Sequence, residues 1–435
     1  MDSALPAPNL VQFATEEGPQ GRFLVCRIPL PSRDRLPHAM DLENTFIAQC
    51  QQIGLRCMDE SLPLYDTDGE PFVLGGHRYT SKGLQSETYQ TYFGPLTRPR
   101  QVYQTSDGGR THVPLEHNAR IIGNATPQFA RMIAAKYAEA EASFVQRDLA
   151  EHHQRFVSDT LIRDLAGRVG SLTLSKEEHW SYRPAAPVRQ VATIALGYDG
   201  TCANLCYEGW KTLMVASFTL YDAQGQRLES FYLANAPEEG KETFFARAER
   251  EVARLKKLYP EALWVGLSDG AHDLREQLEK HCQQLLLDFY HLSEYLAKVA
   301  VSMARRGQTE AQWLQEACQR LKTQSGAAEQ ILTELKERQQ RGKLGAEAAE
   351  QLRKTIGYLE NNLDRTDYAE ALAEHLPIGS GVTEAACKSI VKERFCGSGM
   401  RWVRHSLQQL LSIRCLFKSD GRWNQFWGRF MGVGL

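Results

Sequence analysis

The hydrophobic pattern is clearest in the middle of the chain. Val191-Ala-Thr-Ile-Ala-Leu-Gly-Tyr is a continuous apolar run that ends in Asp199-Gly200-Thr201, as expected of a strand buried on both faces that delivers a carboxylate at its end. Residues 212–222 and 227–234 predict two more strands, joined by a turn at Ala223-Gln-Gly225-Gln, so the first three should form an antiparallel meander. Phe245, Ala248, Val252, Leu255 and Tyr259 then recur at helical spacing until Pro260. A fourth strand, Ala262-Leu-Trp-Val-Gly-Leu-Ser, closes in Asp269-Gly270-Ala271. A helix over 273–281 leads to a fifth strand, Gln284-Leu-Leu-Leu, closed by Asp288-Phe-Tyr-His291. The order β-β-β-α-β-α-β is that of a ribonuclease H-like mixed sheet, in which adjacent parallel strands bring Asp199 and Asp269 to one edge.

Before this core the texture differs. Residues 1–125 are punctuated by proline and glycine, with extended runs at 22–28 and 91–104, and predict a small irregular or β-rich module. Residues 126–170 turn helical. Phe129, Met132, Ile133 and Tyr137 begin one apolar face, a helix follows at about 143–152, and Ser158 can cap another that ends near Gly167. That cadence suits a helix-turn-helix with Asp159, Thr160, Arg163 and Asp164 outward, Arg163 being the candidate DNA contact. An ordinary helical hairpin fits as well, because two acids flank the one arginine and the turn has no glycine. Residues 171–190, with Pro184 and Pro187, predict a linker.

After the first part of the core (191–304), residues 305–367 are almost continuously helical, with helices at 312–323, 327–341 and 345–363, and predict an inserted helical region whose charges form a solvated face. The core resumes over 368–435. Ile378-Gly-Ser-Gly-Val-Thr-Glu384 predicts a helix capped by Ser380, with Glu384 in its first turn, where the helix dipole favours a carboxylate. Lys388 follows one turn later on the same face, within reach of a phosphate.

Composition sharpens this only in places. The 435 residues are 42% hydrophobic and 24% charged, enough for two or three domains. No run approaches the roughly 20 apolar residues of a membrane span. The opening Met-Asp-Ser-Ala-Leu-Pro lacks the features of a secretory signal, so a cytoplasmic location is expected. Ten cysteines are scattered. The Cys202/Cys206 pair has no second pair at zinc spacing, and buried free thiols are expected.

The formal charge of −2 excludes a generally basic nucleic-acid coat. Charge is nonetheless concentrated late: Lys388, Lys392, Arg394, Arg401, Arg404, Arg414, Lys418, Arg422 and Arg429 face only Glu393 and Asp420, interleaved with Trp402, Trp423 and Trp427. This reads either as a basic tail that neutralises phosphates and stacks on bases or as a packed helix whose charges merely solvate it.

Asp199, Asp269 and Glu384 together suit phosphodiester chemistry. Hard carboxylate oxygens hold Mg²⁺, with Mn²⁺ a natural substitute. Two such ions ~3.5–4 Å apart align the attacking and leaving oxygens. Asp199 is the natural bridging ligand, with Asp269 supporting one ion and Glu384 the other. Asp288 and His291 are candidates to hydrogen-bond these acids from behind or to contact the scissile phosphate. Packing at a strand–helix junction is the plainer role for the histidine.

Over roughly residues 120–430 the chain resembles the DDE transposases of bacterial insertion sequences, most nearly the ISKra-type group. The resemblance is carried by Gly197-Tyr-Asp199-Gly-Thr, Leu267-Ser-Asp269-Gly-Ala, and Ile378-Gly-Ser-Gly-Val-Thr-Glu384 continuing to Lys392-Glu-Arg394 and Ser398-Gly-Met-Arg-Trp402. It implies the acid triad, cleavage and strand transfer of DNA at an element's terminal repeats and target, a homo-oligomer, and action on the bacterial nucleoid. It also makes Asp288-Phe-Tyr-His291 look like the signature of Mutator-like relatives, with an insertion between that signature and the final Glu. Relatives often carry a cysteine-containing, zinc-ribbon-like N-terminal module, whereas Tyr103-Gln-Thr-Ser-Asp-Gly-Gly109 here has no cysteine. Lys388, Lys392, Arg394, Arg401, Trp402 and Arg404 are the expected DNA contacts beside Arg163. Two other functions remain open: a ribonuclease H-like nuclease that cuts without joining, and a domesticated DNA-binding protein whose acids are unused.

Overall fold

The computed structural model describes residues 11–32, 38–106, 108–270, 272–305 and 307–432. The opening hexapeptide, Asp107 and Ala271, all drawn on above, lie outside the described residues. Two compact units divide the chain, one of Met1–Tyr137 with Glu141–Val169 and one of Ala138–Ala140 with Gly170–Leu435.

The first unit opens with a hairpin, β1 (Gln12–Gly18) and β2 (Gly21–Arg27), then α1 (Ala39–Ser61). An antiparallel sheet of order β3-β4-β5-β6 follows, from β3 (Phe72–Leu74), β4 (His77–Gln90), β5 (Pro95–Thr105) and β6 (Gly108–His112). The helices α2 (Pro114–Asn118), α3 (Pro127–Glu139), α4 (Ala142–His153) and α5 (Asp159–Glu177) come next. The 23-residue α1 lies within the stretch expected to be irregular or β-rich. Its apolar side chains form no single stripe: Leu42 and Ile47 are exposed, and only Gln49 is buried.

The α4–α5 junction is built much as the spacing suggests. Gln154 ends α4 in a left-handed conformation, and the Ser158 hydroxyl accepts the Leu161 N–H at 3.1 Å. The second helix, however, does not stop near Gly167. Ile162, Leu165, Ala166, Val169 and Thr173 continue one buried stripe. Gly170 is required on it because a Cβ there would lie 2.7 Å from the Gln409 carbonyl oxygen. The expected linker at 171–190 therefore begins as helix.

The second unit is organised on a five-stranded sheet of order β11-β10-β7-β8-β9. Its strands are β7 (Thr193–Leu205), β8 (Gly209–Tyr221), β9 (Arg227–Asn235), β10 (Leu263–Ser268) and β11 (Gln284–Leu287). The β7–β8–β9 meander is antiparallel, while β10 runs parallel to both β7 and β11. One face buries Ile194, Leu196, Phe218, Phe231 and Trp264 with Val252 of α6 (Glu242–Leu258) and Leu278 of α7 (His272–Glu279). The other buries Val265, Leu267 and Leu286 with helices α8 (Phe289–Met303), α9 (Glu310–Thr323), α10 (Ala327–Gln340), α11 (Ala346–Glu360) and α12 (Tyr368–Ala373). The inserted helices thus share one continuous core with the sheet through Leu296, Trp313, Leu335 and Leu359.

The chain then returns to the sheet through α13 (Gly381–Ala386), a π-helical turn at Cys387–Lys392, and α14 (Glu393–Phe395), ending in α15 (Arg404–Lys418) and α16 (Arg422–Gly432). This is no basic tail. Trp423, Trp427, Arg414 and Arg422 are buried, and the loop after α15 caps the outer edge of β9. There Ser419 Oγ accepts the Tyr232 N–H and Asp420 the Ser230 N–H, each at 2.9 Å, which closes an otherwise open sheet edge. Among the described residues no helix is long and apolar enough to cross a membrane.

Candidate functional site

Asp199 does not end its strand. β7 runs on to Leu205, and Asp199 pairs with Val215 inside the β7–β8 ladder. What ends near Asp199 is the parallel pairing with β10, whose last partners are Gly197 and Leu267. Asp199 and Asp269 each stand two residues beyond that pair and therefore at the same level. Asp269 immediately follows β10, and Gly270 turns the chain at φ +100, a conformation that suits glycine. The Tyr358 hydroxyl donates to the Asp269 carbonyl at 2.7 Å, tying that turn to α11.

The third acid reaches this edge by close packing. A Cβ on Gly197 would overlap Thr383 Oγ1, and that hydroxyl shares a buried 2.7 Å hydrogen bond with Ser217. The helix that carries Glu384 therefore lies directly against β7 and β8. Its entry is held by Asp288, which is fully buried and caps α8 by accepting the His291 N–H at 2.8 Å. The other Asp288 oxygen accepts the Ser380 N–H at 2.6 Å and its hydroxyl as well. Ser380 Oγ also lies 2.9 Å from Glu384 Oε1. Ser380 occupies the N-cap position, but its side chain makes no capping bond and instead joins two carboxylates.

Electrostatics follow from this crowding. Burial raises the pKa of Asp199, and Asp269 raises it further. The Cys387 thiol, the Gly200 N–H (2.6 Å) and Lys392 oppose that shift. Burial likewise raises Glu384, opposed by the Ser380 hydroxyl and reinforced by Asp288 and Asp199. Burial and Asp199 push the Cys387 thiol far up, so it remains a protonated donor. Four acids from four separate stretches thus act on one another. Cys387, Ser380, Thr383 and Tyr358 belong to this site and were not singled out for it. A serine between two glycines reads as a cap, and a lone cysteine or tyrosine on a helix reads as core.

The other expected residues separate into groups. The His291 ring packs edge-on to Tyr295 and Tyr358 at 5.6 and 5.9 Å, in an aromatic cluster behind Asp269. Lys388, Lys392 and Arg401 are exposed. Arg394 is buried, its guanidinium 5.4 Å over the ring of Trp402. Trp402 donates its indole N–H to the Phe395 carbonyl at 3.1 Å and bridges to Leu205. Arg404 is paired with Glu208. These last three therefore brace the far end of the β7–β8 hairpin. Arg163, in the first unit, is exposed and bonded to Asp159 at 2.9 Å. All ten cysteines are free thiols, but only Cys387 and Cys415 are buried, contrary to the expectation that most would be.

The donor chemistry of the acid cluster fits a hard divalent cation: carboxylate oxygens that repel one another and gain from a shared positive charge. The arrangement stops short of a ligand shell. Among the described residues no group of three or more His, Cys, Asp or Glu side chains is set to hold a metal ion, and Glu384 is bonded to Ser380. Comparison with known proteins finds no matching family model and no matching curated protein.

Proposed function

We propose that the chain is a DDE-type DNA transposase on a ribonuclease H-like core, cleaving and joining DNA at the ends of its element. The observation that carries the reading is the common level of Asp199 and Asp269 beyond the last parallel pair, Gly197 and Leu267, with the helix bearing Glu384 packed against that strand at Gly197. The strand order, with an antiparallel meander on one side of β7 and parallel strands on the other, supports the same fold.

Asp199, Asp269 and Glu384 would hold Mg²⁺, or Mn²⁺ in its place. The bound ions supply a polarised nucleophile and neutralise charge on the phosphoryl group. Asp288 and Ser380 orient Glu384, and the Gly200 N–H and Cys387 thiol orient Asp199. Lys388 and Lys392 offer exposed cations to the DNA backbone on the π-helical turn that follows the helix of Glu384.

The test is strand cleavage and joining on DNA carrying the element's own ends, with Mg²⁺, comparing the parent with Asp269→Ala. Cleavage and joining that both vanish in the variant are expected. Cleavage without joining indicates a nuclease, and binding without metal-dependent cleavage indicates a DNA-binding protein with an unused site.

A further inference from the structure

On the sheet face opposite Asp199, a cavity of about 50 Å³ is enclosed by α5, α6, β8, β9 and the last two helices. Four arginines line it, Arg247, Arg250, Arg254 and Arg422, against two acids, Glu177 and Glu251. Two of the arginines are committed. Arg247 forms a bidentate pair with Glu177 at 2.7 and 2.8 Å and also bonds the Ala234 carbonyl, while one end of the Arg422 guanidinium is paired with Glu251. The pairing is incomplete at two atoms. Arg422 is only 8% exposed and its Nε finds no acceptor, nor does the buried Nε of Arg250. Arg254 is engaged, one arm donating to the Glu177 and Glu178 carbonyls at 2.8 and 3.2 Å and the other lying 3.7 Å from Glu251, and an outer nitrogen of Arg250 lies 3.6 Å from Glu178.

We propose that this cavity is a binding site for a tetrahedral oxyanion, phosphate or sulfate in chemistry. What is left is of one kind: two N–H donors, Arg422 Nε and Arg250 Nε, on positively charged groups and without an acceptor. A neutral ligand would satisfy the donors and leave the charge, whereas an oxyanion answers both. A buried, unpaired guanidinium N–H costs the fold unless something accepts from it. The volume suits the ligand, since a water needs roughly 10–15 Å³ by the same measure, so the space admits about four waters or one five-atom anion. Arg422 is further fixed by stacking on Phe231 and Tyr182, at 4.1 and 5.3 Å, which sets its Nε in place before any ligand arrives. The site is independent of the acid cluster and of the reaction proposed for it.

The ligand is either a free oxyanion or the phosphorylated end of a nucleic-acid strand. The experiment measures Tm of the full chain in sodium phosphate, sodium sulfate and sodium chloride at matched ionic strength. In parallel, binding of a short single strand with and without a 5′-phosphate is followed by anisotropy. A saturable rise of about 5 °C in phosphate or sulfate over chloride is expected at a hundredfold excess over Kd. Arg250→Gln leaves the two buried ion pairs in place and should weaken that response about tenfold with little change of Tm in chloride. Competition by phosphate against the 5′-phosphorylated strand alone identifies a strand end, and its absence identifies a free ion. Equal Tm in all three salts, or a phosphate response unchanged in both Arg250→Gln and Arg422→Gln, overturns the site.

Discussion

The hydroxyl of Thr383 lies 2.7 Å from that of Ser217, buried, directly above the missing side chain of Gly197. That bond joins the helix bearing Glu384 to the strand beside Asp199, so sheet packing and site geometry share the same atoms. Gly197→Ala should therefore act twice. Overpacking of this kind costs about 1–3 kcal/mol, read as a lower urea midpoint at unchanged m. Metal-dependent activity should fall further than that loss explains, because the helix moves with Glu384. Thr383→Val leaves Ser217 without its partner and should cost about 1–3 kcal/mol. A midpoint unchanged in both variants would show that the helix does not rest on the sheet in this way.

The acid cluster predicts a metal-linked stability. Burial and like-charge neighbours raise Asp199 and Glu384 above their unfolded values. A carboxyl so raised binds its proton more tightly when folded, so stability falls as pH rises from about 4 through the folded pKa, and the deficit persists above it. Asp199→Asn should flatten this descent and raise Tm near neutral pH in the absence of metal. Mg²⁺ should stabilise the parent protein and not the variant, measured by thermal unfolding at fixed ionic strength. A variant that responds to Mg²⁺ as the parent does places the cation elsewhere.

Ser380 is expected to act through Glu384 rather than on substrate. Ser380→Ala removes the hydroxyl shared by Asp288 and Glu384. A loss of roughly 10–100-fold in metal affinity or activity is typical when such a supporting group is removed. The distinguishing readout is the Mn²⁺ concentration for half-maximal cleavage, which should rise in Ser380→Ala and recover in Ser380→Thr. A purely structural serine would lower activity in both variants at every Mn²⁺ concentration alike.

The sequence made some of these elements legible and hid others for physical reasons. Buried strands such as Leu263–Ser268 are nearly uniform apolar runs, and their order followed from their spacing. The end of β7 is not legible, because Asp199-Gly200 reads as a turn, whereas Gly200 stays in the ladder opposite Met214. The common level of Asp199 and Asp269 is legible because each follows a buried apolar run, and these runs pair in parallel. Ser380 reads as a cap yet bonds two acids, since a capping serine and a serine shared by two carboxylates have the same local sequence. The C-terminal cations were the hardest case. Charge count alone does not separate Arg414, buried and bonded to the Ser389 carbonyl at 2.9 Å, from the exposed Lys392, because only tertiary packing decides which guanidinium is covered.

On the proposed DNA path along the segment that follows Glu384, Lys388, Lys392 and Arg401 are exposed and can meet phosphates. Each removal should weaken binding uniformly across sequences and lower the slope of log affinity against log salt by about 1. Arg394→Gln should behave differently. Its guanidinium is buried against Phe395 and Trp402, so its loss should lower stability by about 1–3 kcal/mol and leave the salt slope of the folded protein unchanged. Trp402→Ala should resemble it, because the indole donates to the Phe395 carbonyl and packs on the Phe395 ring and the Arg394 guanidinium. Salt titrations of DNA binding, run beside urea unfolding on the same preparations, separate the two classes. A reduced slope in Arg394→Gln with unaltered stability would mean that this arginine meets DNA and that the packing around Trp402 opens to let it.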